Sequence, residues 1–168
     1  MIKNNDKLFK NSLGSQAEDD SLFEDLFFLK EEELIDPKLV AELVENGVKF
    51  NNSDLLFVTK DQSGQIVFLE KGNKKVGLEH ILYGDGTSEH PGHKPDFIKN
   101  FQIEENKIKK VIYNFITKGE IVGKRPSLTG FDYVFKLKGK YLMITIADNG
   151  FIVTSHPINK DKLKEYNK

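Results

Sequence analysis

The chain has 168 residues, 38% of them hydrophobic, and 25 Lys and Arg against 26 Asp and Glu for a net charge of −1, which suits one globular domain with a modest extension. It contains no cysteine, so disulfides, cysteine-type zinc sites and thiol nucleophiles are excluded. No segment approaches the roughly 18 apolar residues of a membrane span, and Met1–Asp6 lacks the apolar stretch of a signal peptide, so the sequence predicts no span and export only through a larger carrier or a dedicated machine.

The charge is unevenly spread. Residues 1–54 hold 13 acidic and 6 basic side chains, whereas residues 55–168 hold 13 acidic and 19 basic ones. A basic C-terminal part suits a polyanionic partner, although a solvated lysine-rich surface produces the same count.

In chain order, the polar stretch to Gly14 is followed by Leu22, Phe23, Leu26, Phe27 and Leu29, whose spacing predicts an amphipathic helix within 17–34 with an acidic outer face. A second helix is marked by Asp36-Pro37 at its start, by Leu39, Val40, Leu43 and Val44 along one stripe, and by Asn46-Gly47 at its end. Residues 1–50 thus read as an acidic helical extension and residues 51–168 as the main domain. Leu55–Val58 and Gln65–Leu69 flank the turn residues Asp61-Gln62-Ser63-Gly64 and predict a hairpin.

A short helix over 77–83 carries His80, a Gly-rich loop from Gly84 to Pro95 carries His90 and His93, and a third helix is expected from Glu104 to Lys118. The pattern then changes to period two. Strands are expected at Glu120–Val122, Phe131–Phe135, Tyr141–Ile146 and Phe151–Thr154, joined by Lys138-Gly139 and Asn149-Gly150 turns, and the lysine-rich tail after Asn159 reads as a frayed helix or as disordered. This order predicts an α+β fold, with helices packed on one face of a curved antiparallel sheet.

His80 and His93 lie 13 residues apart across the Gly-rich loop. Imidazole titrates near neutrality, so one ring can accept a proton while another donates one. Arg125 is the only arginine among 25 basic residues, and its bidentate fork suits a phosphate better than lysine does. Tyr133 and Tyr141 can stack an unpaired base, or pack between strands. A metal site is a rival reading, because His80, Asp85, His90 and His93 gather nitrogen and oxygen ligands in one short segment, though without a His-Glu-x-x-His spacing.

Five blocks in order, Phe68–Asn73, Gly77–Ile81, His93–Phe97, Lys118–Gly123 and Asn149–Val153, resemble the toxin domains at the C-termini of bacterial polymorphic and contact-dependent inhibition toxins. That family is placed with the barnase, EndoU, colicin and RelE group of ribonucleases, small α+β folds. Within the group the chain resembles the EndoU type, which uses two histidines, a basic side chain and a hydroxyl near the end of the last strand. The resemblance implies His80, His93 and Thr154 as catalytic residues and Ser155 and His156 beside them as substrate-binding ones, with no metal and no cofactor. By their place after the strand that follows the third helix, Lys124 is the expected catalytic cation and Arg125 a phosphate-binding one, and Tyr133 is a candidate to stack a base. The insertion Tyr83–Pro91 adds His90, and the spacing of His93 to Asp96-Phe97 favours His93 as the second catalytic ring.

The implied activity is metal-independent cleavage of RNA, with tRNA among the candidate substrates, to 2′,3′-cyclic phosphate and 5′-hydroxyl ends. The implied setting is interbacterial competition. The domain would be secreted or delivered as part of a larger toxin system, with a delivery adaptor or carrier, and act in the cytoplasm of the target cell. A cognate immunity protein, acidic and site-occluding, would neutralise it. The alternatives are a metal-dependent nuclease and a non-catalytic RNA-binding module.

Overall fold

A computed structural model describes residues 29–167. The helix expected over 17–34 therefore lies mostly outside the described residues. Its last part, Glu31–Leu34, is a 3-10 turn whose Leu34 is fully buried in the main core. Helix α1, Pro37–Glu45, starts where the sequence predicts: the Asp36 carboxylate accepts the Lys38 amide proton at 2.9 Å, Pro37 occupies the first turn, and Gly47 beyond the end takes a φ of +74°. Its Leu43 packs with Leu55, Val58 and Phe68, so this part of the acidic extension lies on the hairpin.

The hairpin pairs β1, Leu55–Lys60, with β2, Ile66–Glu70. Its turn is held by Asp61, whose Oδ1 accepts from the amides of Ser63 and Gln65 and from the Ser63 hydroxyl. Helices α2, Gly77–Tyr83, and α3, Lys94–Phe101, follow, and then α4, Ile108–Lys118, preceded by a 3-10 turn at Glu105–Lys107. The third expected helix thus begins as α-helix only at Ile108.

Helix α3 is not expected from the sequence. Its signals are Pro95 in the first turn and Phe97 and Phe101 four residues apart, both buried. Gly84, Gly86, Pro91 and Gly92 just before it make the segment read as loop.

Four strands complete the fold: β3, Glu120–Pro126; β4, Gly130–Leu137; β5, Lys140–Ala147; and β6, Ile152–Ile158. They form an antiparallel sheet in the order β3-β4-β5-β6. The architecture is α+β, with two antiparallel sheets of two and four strands instead of one. The two sheets touch where the Phe68 amide donates to the Gly150 carbonyl at 2.9 Å. Gly150 has a φ of +95°, and a Cβ there would lie 2.2 Å from the Ile66 carbonyl oxygen, so only glycine permits this junction.

Side chains alternate across β5. Leu142, Ile144 and Ile146 enter the main core with Phe135, Ile152 and the inner face of α4, namely Val111, Ile112, Phe115 and Ile116. Burying each such side chain contributes roughly 1.5–3 kcal/mol. The opposite face carries a smaller cluster of Val134 and Met143 under Tyr166. Tyr166 belongs to Lys160–Tyr166, a 3-10 helix that is docked by this buried ring, so of the two expectations for the tail the helix is met and its fraying is corrected. A Cβ at Gly123 would lie 3.2 Å from both Leu163 and Tyr166, and this missing side chain lets the tail dock. Among the described residues no helix is long and apolar enough to cross a membrane.

Candidate active site

The strand register builds a polar row across the face of the sheet that bears the tail. Arg125 of β3 is opposite Asp132 of β4, Asp132 is opposite Thr145 of β5, and Thr145 is opposite Thr154 of β6. The Asp132 side chain is only 14% exposed, so its carboxylate needs partners, and it has two. It accepts from the Thr145 hydroxyl at 2.6 Å and from Arg125 Nε at 3.1 Å. The guanidinium lies over the Tyr166 ring, 4.2 Å from its centre, with Glu165 4.0 Å from one terminal nitrogen. The hydrogen bond to Asp132 pushes the Arg125 pKa above its already high value, so the side chain is a permanent cation held on a fixed base.

Two residues beyond Thr154 on the same face, His156 is opposite Met143. Its ring centre is 4.8 Å from that of His93, with the planes tilted by 35°. A carbonyl only accepts, so the 3.0 Å contact to the Pro157 oxygen puts the His156 proton on Nδ1. Burial, and with it the charge of the neighbouring His93, pushes the His156 pKa down. A neutral ring with its lone pair on Nε2 results.

His93 immediately precedes α3. Its amide donates to the Ile81 carbonyl at 2.7 Å, which ties it to the residue after His80, and its carbonyl accepts the Phe97 amide in the first turn of the helix. Its Nδ1 faces Asp96 Oδ2 at 3.2 Å. His80, on α2, places Nδ1 2.6 Å from the Lys74 carbonyl. All three rings therefore have Nδ1 on an oxygen acceptor, which orients each imidazole and leaves Nε2 for chemistry.

The structure brings His93 to His156, with Thr154 two residues away on the same face of β6; Arg125 lies three strands across the polar row on β3, and His80 adjoins His93 through the backbone bond at Ile81. It separates the rest. Lys124 and Arg125 are neighbours on β3 and so fall on opposite faces; Lys124 Nζ lies 4.7 Å from the centre of the Phe131 ring on the core side. Tyr133 stacks between Phe131 and Phe135, and burial raises its pKa. Ser155 is fully buried and donates to the Met143 carbonyl at 2.7 Å. His90 is exposed on the loop, where its backbone carbonyl accepts the Asp85 amide.

Asp132, Thr145, Asp96 and Tyr166 are site residues that the sequence does not single out. Asp132 has a signal, a carboxylate alternating with Phe131, Tyr133 and Phe135 in a strand. Asp96 follows from helix α3, which sets it three residues beyond His93, and Thr145 and Tyr166 are visible only once strands and tail are in place.

A cavity of about 400 Å³ opens beside His156, between α3 and the C-terminal segment, with Asp96, Asn100, Lys162 and Tyr166 among its lining residues. Among the described residues no three or more His, Asp or Glu side chains converge as metal ligands, so His80, Asp85, His90 and His93 do not form the set that the rival reading needs. No family model matches the chain, and a comparison with curated proteins finds no match.

Proposed function

We propose that the chain is a bacterial toxin domain of the EndoU type that cleaves RNA without a metal. The observation that carries this reading is the meeting of His93 with His156 at one end of a polar row that has Arg125 at the other.

One imidazole takes the proton of an RNA 2′-hydroxyl through Nε2, and the oxygen attacks the adjacent phosphorus. The bond from phosphorus to the 5′ oxygen breaks, and a second imidazole returns a proton to that leaving oxygen. The products are a 2′,3′-cyclic phosphate and a 5′-hydroxyl, with no water consumed. His80 and His93 move the two protons, each transfer worth about 10²–10⁴-fold. The neutral His156 presses on His93, sets its plane and offers Nε2 to the substrate. Arg125 holds the phosphate oxygens while negative charge builds on them, and the Thr154 hydroxyl donates to the same group. This assigns to Arg125 the cationic role expected of Lys124, whose amine lies on the other face.

As a toxin the domain reaches the target cytoplasm on a carrier or through an adaptor, and its producer keeps an immunity protein that covers the site. Acidic side chains of that protein would pair with Arg125 and the surrounding lysines.

The test incubates the full chain with total bacterial RNA in excess EDTA and maps the new ends. Fragments ending in 2′,3′-cyclic phosphate that vanish with His93→Ala and His80→Ala support the reading. Absence of cleavage, or cleavage that EDTA abolishes, overturns it.

A further inference from the structure

The cavity beside His156 does not end there. A second cavity, of about 200 Å³, shares Asn100, Ile158 and Asn159 with it and continues past the end of β6 to Lys140, Tyr141 and Lys160. Through these shared residues the two adjoin as one groove, with His156 and Lys162 at one end and Lys140 and Lys160 at the other.

The two ends differ in charge. The carboxylates of the near end, Asp96 and Glu165, are each engaged: Asp96 with His93, and Glu165 with Lys162 and Arg125. No carboxylate lines the far end. Among the described residues neither Lys140 nor Lys160 has an ion-pair partner; Lys140 has only the Phe101 ring, 6.0 Å from its amine. Tyr141 is partly buried, packed by one side against the Val134, Met143 and Tyr166 cluster, with Lys136 Nζ 5.8 Å from its ring centre. Unpaired cations beside a partly exposed aromatic ring are what a single-stranded polynucleotide uses, phosphates on the lysines and a base against the open part of the ring.

We infer that this groove holds the RNA strand beyond the scissile phosphate, with Lys140 and Lys160 on backbone phosphates and Tyr141 against an unpaired base. The inference rests on the ribonuclease reading and extends it. The substrate is a single-stranded segment several nucleotides long, and a dinucleotide reaches only the histidine end.

Steady-state cleavage by the full chain is measured on an unstructured RNA of about 20 nucleotides and on a dinucleotide with the same scissile step. The wild type is expected to have a KM about tenfold lower for the long RNA, and K140A/K160A to bring the ratio of the two KM values close to one. K140R/K160R restores the ratio, which separates lost charge from damaged folding. A wild-type ratio in K140A/K160A overturns the groove.

A second measurement uses single-stranded DNA of the same length, which lacks the 2′-hydroxyl and cannot be cut by this route. Its affinity is followed by fluorescence anisotropy against salt. K140A/K160A should lower the slope of log K on log salt by about 1.4 units, about 0.7 for each phosphate that is no longer neutralised. If the slope falls but no RNA is cleaved, the groove stands and the ribonuclease reading fails. Cleavage with an unchanged slope has the opposite meaning.

Discussion

The two faces of the four-stranded sheet are built from the same strands by alternate residues, and they differ in nearly every property. The inner face, with Phe135, Leu142, Ile144 and Ile146, is closed against α4. The outer face has a small apolar cluster under the tail at one end, and beyond it Arg125, Asp132, Thr145, Thr154 and His156. A step of one residue along a strand is thus the difference between a core position and a site position. That is why Thr154 and His156 flank the site while Ser155, between them, satisfies its hydroxyl inside the protein.

This contrast is sharpest at the histidines. His93→Ala should lower kcat/KM on RNA by about 10²–10⁴-fold with little change in thermal stability, and His80→Ala should come close to it. His156→Ala should cost less, mainly in KM; a loss equal to that of His93→Ala would transfer the second proton-moving role from His80 to His156.

At the other end of the row, Arg125→Ala is expected to reduce kcat by about 10²–10³-fold. Arg125→Lys should not restore it, since lysine has no fork to lie on Asp132 and Tyr166 and still reach a phosphate. Lys124→Ala should leave activity near wild type. The reverse result for these two neighbours would put the site on the wrong face.

Ile144→Ala, on the inner face, should destabilise the chain by about 2–5 kcal/mol in denaturant unfolding. Ser155→Ala should cost about 1 kcal/mol of stability and no activity, while Thr154→Ala should leave stability almost unchanged and slow cleavage. A catalytic loss without destabilisation at Ser155 would break the assignment of faces.

The smallest expected effect concerns pH. His156 has a lowered pKa in the folded state, so the unfolded chain binds its proton first as the solution is acidified. Its contribution is complete above the unfolded value, about 6.5, and is lost as pH falls toward the depressed folded value. His156→Phe should flatten that part of the stability profile. A profile unchanged by the substitution would mean that the ring is not held neutral.

Much of the fold is legible in local pattern. The period-two runs at 131–135 and 141–146 are strands, Asp36-Pro37 opens α1, and Asp61–Gly64 turns the hairpin, because in each case neighbouring residues along the chain supply the hydrogen bonds or the alternation. Helix α3 is hidden because its evidence is two phenylalanines that have meaning only against the core they enter. The tail is hidden for a related reason: its lysines read as solvated, and only the missing side chain of Gly123 makes a seat for Leu163 and Tyr166.

The candidate site divides in the same way. By itself the sequence determined that imidazoles, one arginine and strand-end hydroxyls were present, since these are properties of residue type and spacing. Tertiary structure alone decided which of them meet. The register of four strands carried Arg125 to Asp132 and Thr154 to Thr145, and the bond from His93 to Ile81 set α2 and α3 together at the β6 edge. His93 and His156 are 63 residues apart in the chain, and no local signal encodes a contact that depends on how a helix pair closes against the last strand.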